Sequence, residues 1–112
     1  MKVLVCGGRK YAEYECVEHV LGSLDPAPTL IIHGGAAGAD ALANRWAHAN
    51  RVRTQVFNAD WFAHGRAAGP MRNAKMLTES MPDLVVAFPG GAGTAHMVAL
   101  AKRYNYTVKE IT

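Results

Sequence analysis

The sequence predicts an α/β fold: a doubly wound parallel sheet of about five strands, order 3-2-1-4-5, with helices on both faces. Three observations predict it. Short, β-branched apolar runs alternate with stretches of helical periodicity from end to end. The runs are continuous, as in strands covered on both faces. Three of the strand exits are glycine-rich, reading CGGRKY (6–11), HGGAAGAD (33–40) and PGGAGTAH (89–96).

Each element has its own signal. KVLVC (2–6) is the first strand. Val17, Val20, Leu21 and Leu24 then fall at i, i+3, i+4 and i+7, one face of a helix. DPAP (25–28) breaks that helix, and TLIIH (29–33) is the second strand. GADALANRWAHAN (38–50) carries Ala39, Leu42, Ala43 and Trp46 on one helical stripe. RTQVFN (53–58) is the third strand, and ADWFAHGRAAG (59–69) reads as a polar loop. Pro70 suits the first position of the next helix, where its missing N–H costs nothing. Met71, Ala74, Leu77 and Met81 would form that helix's apolar face. DLVVAF (83–88) is the fourth strand; Met97, Leu100, Ala101 and Tyr104 mark the last helix; YTVKEI (106–111) is a short edge strand. No linker or repeat interrupts the pattern, so one domain over residues 1–112 is expected. Right-handed crossovers then reverse the strand order between strands 1 and 4, and a ligand crevice is expected at the carboxyl edge there.

Of the 112 residues, 50% are hydrophobic and 19% charged, which excludes a disordered chain. No apolar run reaches the ~20 residues of a membrane span, and the N-terminus lacks the long apolar region of a signal peptide. A cytoplasmic protein is the expectation. A net charge of +3 suits anionic ligands. There is no Lys/Arg run, and Arg45, Arg51 and Arg53 lie towards the end of a helix away from the crevice, so nucleic acid is not an expected partner. Cys6 and Cys16 read as small residues of a reduced compartment.

The glycine turns carry the candidate binding residues: Gly7, Gly8 and Arg9; Gly34, Gly35 and Gly38; Gly90, Gly91, Gly93 and Thr94. Glycine lets a backbone approach a ligand closely, and a helix starting at the turn offers free N–H groups to an anion. None of the turns is a P-loop, because no Gly-Lys-Ser/Thr occurs, and none has the full GxGxxG fingerprint. Arg72 and Asn73 sit in a first helical turn, where an Arg opposes the helix dipole and calls for an anionic partner. That partner is a phosphate, or else Asp40 or Asp60 in a salt bridge. Asp40 is open to three roles: cap of its own helix, acceptor for a ribose hydroxyl, or base. Asp60 fits an N-cap, and Trp61 fits either stacking on a base or loop packing. His33, His64 and His96 fall near the crevice edge, but no pair has metal-ligand spacing, and no metal is expected. Asp40, Asp60 and His96 are the candidate proton-transfer groups.

These motifs carry a family resemblance. PGGAGT, preceded by RNAKM (72–76), resembles the LOG phosphoribohydrolases, and HGGAAGADALAN (33–44) resembles the glycine-rich turn of DprA. Both belong to the Rossmann-like SLOG superfamily. CGGRKY, HGGAAGAD, ADWFAHG, GPMRNAKM and PGGAGTAHM together look most like its YspA, cpYpsA-related branch, across nearly the whole chain. The resemblance implies a ligand that is a nucleotide or is derived from one, such as an ADP-ribose-like molecule, held by a sensor or binding module. In the LOG pattern PGGxGTxxE, the final Glu takes part in glycosidic cleavage; here that position is Met97. The alternatives are a hydrolase of a glycosidic or phosphate bond using another acid or base, and, by analogy with DprA, single-stranded DNA binding. Relatives of this kind dimerise, and Trp46, Trp61 and Phe62 add apolar surface, so a homodimer or larger homo-oligomer is also expected.

Overall fold

The computed structural model describes residues 1–112. Its elements are β1 (Lys2–Cys6), α1 (Tyr14–Gly22), β2 (Leu30–His33), α2 (Ala39–Ala49), β3 (Arg53–Val56), α3 (Trp61–His64), a 3-10 turn (Gly65–Ala67), α4 (Ala68–Ser80), β4 (Leu84–Ala87), α5 (Ala92–Arg103) and β5 (Val108–Glu110). All strand pairs are parallel, and the sheet order is β3-β2-β1-β4-β5. In the register, Val3 lies beside Ile31 on one side and Leu84 on the other.

Successive side chains of a strand point to opposite faces, so β1 feeds two cores. Val3 and Val5 join Val17, Leu21, Ile31, Trp46 and Phe88 under α1 and α2. Leu4 and Cys6 join Ile32, Met76, Leu77, Val85 and Met97 under α4 and α5. Each large aliphatic side chain fully removed from water contributes about 1.5–3 kcal/mol. Trp46 is only 5% exposed, so it adds no apolar surface for self-association.

Three sequence expectations need correction. β3, β4 and β5 end one or two residues early, although Phe57 and Phe88 still extend the ladders by donating to His33 O and Cys6 O. The 59–69 segment is not a plain loop. It holds α3 and the 3-10 turn, and α4 begins at Ala68, with Pro70 as its third residue. That position still lies among the first N–H groups that lack helical partners. The apolar face of α4 is also rotated from the expected one. Met71 and Met81 are exposed, and the buried stripe is Asn73, Met76, Leu77 and Ser80. Two of those four are polar residues satisfied by hydrogen bonds, which hides the stripe from a hydropathy reading.

Candidate functional site

The three glycine turns meet at the carboxyl edge of β1, β2 and β4 and pack backbone on backbone. Gly8 donates to Pro89 O (2.9 Å), and Gly8 O accepts from Ala39 N (3.1 Å) and Tyr11 N (3.2 Å). Gly38 has φ of 76°, and a Cβ there would run into the Gly8 and Arg9 carbonyls. A Cβ on Gly90 would strike Gly8 N and Thr94 Oγ1. These positions need glycine because another turn lies against them. Gly34 leaves room for the Arg72 guanidinium, and Gly35 faces Asn58. Gly91 and Gly93 differ: nothing lies within 4 Å of where their side chains would project.

Above the interlocked turns is a cavity of about 540 Å³, within the range of small-molecule sites. Its walls include Gly7, Gly8, Arg9, Asp40, Trp61, Arg72, Asn73, Gly91, Gly93, Thr94 and His96. Gly34, Gly35, Gly38, Gly90 and Asp60 are not among them. Asp60 is spent on capping α3, accepting from Ala63 N at 3.0 Å. His33 is buried, its ring engaged by Gly35 N (3.0 Å) and Asn44 Oδ1 (2.9 Å), and His64 lies outside the cavity.

Arg72 is not the exposed first-turn residue that its position suggested. It is the fifth residue of α4, half-buried, and no carboxylate lies in salt-bridge reach. Its Nη1 donates to Gly34 O (2.7 Å) and Phe57 O (3.5 Å), and its Nε to Asn73 Oδ1 (3.0 Å). It therefore ties α4 to the exits of β2 and β3 before any ligand arrives. Burial pushes its pKa down, while Asp40 opposes the shift.

Arg72 has no lone pair to offer, so the Asn73 amide oxygen must be the atom facing it. Asn73 Nδ2 then donates to Gly93 O (3.3 Å) and to His96 Nδ1 (3.1 Å). A donor against Nδ1 leaves that nitrogen as an acceptor and puts the proton of neutral His96 on Nε2. As a candidate base, His96 has its lone pair already engaged.

Asp40 does not cap its own helix. Its Oδ2 reaches back to accept from Gly34 N (3.0 Å) and Ala36 N (3.2 Å), bracing the turn after β2. The residue is only 6% exposed, and burial raises its pKa above the ordinary carboxylate range. Cys6, on the cavity floor, is pushed up to about 12 by burial and then by Asp40, which keeps it a thiol. Met97, on the inner face of α5, is fully buried and is not part of the cavity wall.

Trp61 stands at the cavity edge, about half exposed, with the Arg9 guanidinium 5.1 Å from its ring centroid. Gly69 makes room for the indole, since a Cβ there would sit 3.2 Å from it. Arg66, on the 3-10 turn, also lines the cavity and was not legible in the sequence. Its only signal was a lone charge among the small residues before α4. Arg9, Arg66 and Arg72 thus face one carboxylate, Asp40, across a shared cavity.

This is a Rossmann-like α/β domain with a cationic crevice at its topological switch point. The chain belongs to the YspA, cpYpsA-related SLOG family, whose model matches residues 1–64. It is similar to the Gene 61 protein of Mycobacterium phage D29, with 35% identity over 112 residues, covering 91% of this chain and 89% of that protein. Among solved structures it resembles DNA processing protein A (DprA) from Streptococcus pneumoniae, with a TM-score of 0.80 and 19% identity. That match covers 99% of this chain and 50% of the DprA chain, so the present chain spans half of it.

Proposed function

We propose that the crevice binds a nucleotide or a nucleotide-derived ligand, and that the protein holds this ligand rather than cleaving it. The observation that carries the reading is that Arg9, Arg66 and Arg72 line one cavity with the open start of α5 and an accessible indole. Charge-assisted contacts and free N–H groups suit a phosphate. The Trp61 ring suits a base. Against cleavage stand the burial of Met97 at the position of the LOG glutamate, the engaged lone pair of His96, and the capping role of Asp60.

A hydrolase is the second reading, and one observation favours it. Asp40 is a buried carboxyl with a raised pKa in the cavity wall, a pattern common among catalytic acids and bases. Thermal shift against a panel of nucleotides, with product analysis of the same samples, separates the two. A shift without turnover is expected, weakened by Arg9→Ala and Arg66→Ala. Turnover lost in Asp40→Ala would establish the hydrolase. Absence of any shift would sink both readings.

A further inference from the structure

Within the nucleotide reading, on which this inference rests, one atom of the cavity is left without a partner. Asp40 Oδ2 takes two backbone N–H groups, from Gly34 and Ala36. Its Oδ1 takes none. No cation lies within ion-pair distance, and the Nη1 and Nε of Arg72 are occupied by Gly34 O, Phe57 O and Asn73 Oδ1. No fully enclosed polar side-chain atom in the protein lacks a hydrogen-bond partner, so Oδ1 keeps its contact with solvent through the cavity that Asp40 lines. A carboxylate oxygen on a residue more than nine-tenths buried is thus presented to the ligand space with its lone pairs free.

We infer that Asp40 Oδ1 accepts a hydrogen bond from a sugar hydroxyl of the ligand, and that the crevice selects ribonucleotides over deoxyribonucleotides. The charge around Asp40 narrows the donor. Three arginines line the same cavity and repel an ammonium or any other cationic donor. The donor must be a neutral group on an anionic molecule. The sugar of a nucleotide carries its hydroxyls between the phosphate and the base. Asp40 shares one cavity with the start of α5 and with the indole of Trp61. A carboxylate that has lost its water and gains no donor is penalised, so a ligand lacking the hydroxyl is rejected by more than the loss of a neutral hydrogen bond.

The test uses the full chain and isothermal titration. The probes are ribonucleoside 5′-mono- and diphosphates of each base, with their 2′-deoxy and 3′-deoxy forms. The wild type is expected to bind at least one ribonucleotide and to bind one of its deoxy forms roughly ten- to a hundredfold more weakly. Asp40→Asn is the matching variant. Its amide oxygen can keep the Gly34 and Ala36 N–H bonds, which places an NH₂ donor where Oδ1 stood. It is expected to fold, by circular dichroism, and to discriminate less between ribo and deoxy forms, because a neutral NH₂ that donates to the hydroxyl replaces a desolvated carboxylate that needs it. Equal binding of both forms by the wild type overturns this inference and leaves the nucleotide reading standing. Discrimination undiminished in Asp40→Asn overturns the assignment to Asp40. If no nucleotide of either kind binds, the nucleotide reading fails and takes this inference with it.

Discussion

Arg72 illustrates how one residue changes meaning once its surroundings are known. Its place after Gly-Pro suggested a free cation awaiting an anion, but its Nη1 holds two backbone carbonyls and its Nε the Asn73 amide oxygen. Arg72→Ala should therefore destabilise the fold by about 2–3 kcal/mol, since charged hydrogen bonds to buried carbonyls contribute at that level. Urea denaturation measures this, and an unchanged midpoint would show the tether to be dispensable. Asp40 supplies the pH dependence. Its pKa is raised in the folded protein, chiefly by burial, with Arg72 and His33 only partly opposing. As pH rises past 3.8, the ordinary value for an Asp, the unfolded chain releases this proton first while the native state still holds it. Native stability thus falls as pH rises through that window and levels off above the folded pKa. The Tm of Asp40→Asn relative to wild type should climb from acid towards neutral pH. A difference independent of pH would mean that the carboxyl is not desolvated.

The glycine turns show what could be read at the level of elements and what could not. Their number and their place on one edge of the sheet were evident in the sequence, because glycine runs at strand exits have few other uses. Which glycines meet a neighbouring turn and which open on the crevice depends on distances between segments some thirty to eighty residues apart, and no local pattern records them. Arg66 and the rotated face of α4 escaped for the same reason: each is defined by what packs opposite. The two kinds of glycine should respond in opposite ways. Gly38→Ala forces a Cβ into the Gly8 carbonyl at positive φ and should cost about 3 kcal/mol or more. Gly93→Ala enters open space near the start of a helix and should stabilise by up to about 1 kcal/mol, while a methyl group in the cavity weakens nucleotide binding. Denaturation and titration of both variants check the pair. Normal ligand affinity in Gly93→Ala would make that turn purely structural.

For the molecule as a whole, the case for self-association narrows to the surface beside the crevice. Trp46 is buried, but Phe62 is fully exposed, and Trp61 and Met71 are about half exposed. Three large apolar side chains from neighbouring elements favour pairing. Multi-angle light scattering at high micromolar concentration should find a species larger than the 12.1 kDa monomer, shifted towards monomer by Phe62→Asp. A strictly monomeric wild type would refute this. The contrast between the two tryptophans has a practical consequence. They are the only indoles in the chain, one sealed under α2 and the other at the mouth of the cavity beneath an arginine. Their emission should separate into a blue component blind to ligand and a red component that a bound base quenches. Trp46→Phe would then leave a chain whose entire fluorescence reports occupancy of the crevice, and Trp61→Phe one that is silent to it. The protein would thus carry its own optical sensor, usable in a stopped-flow instrument without any attached dye.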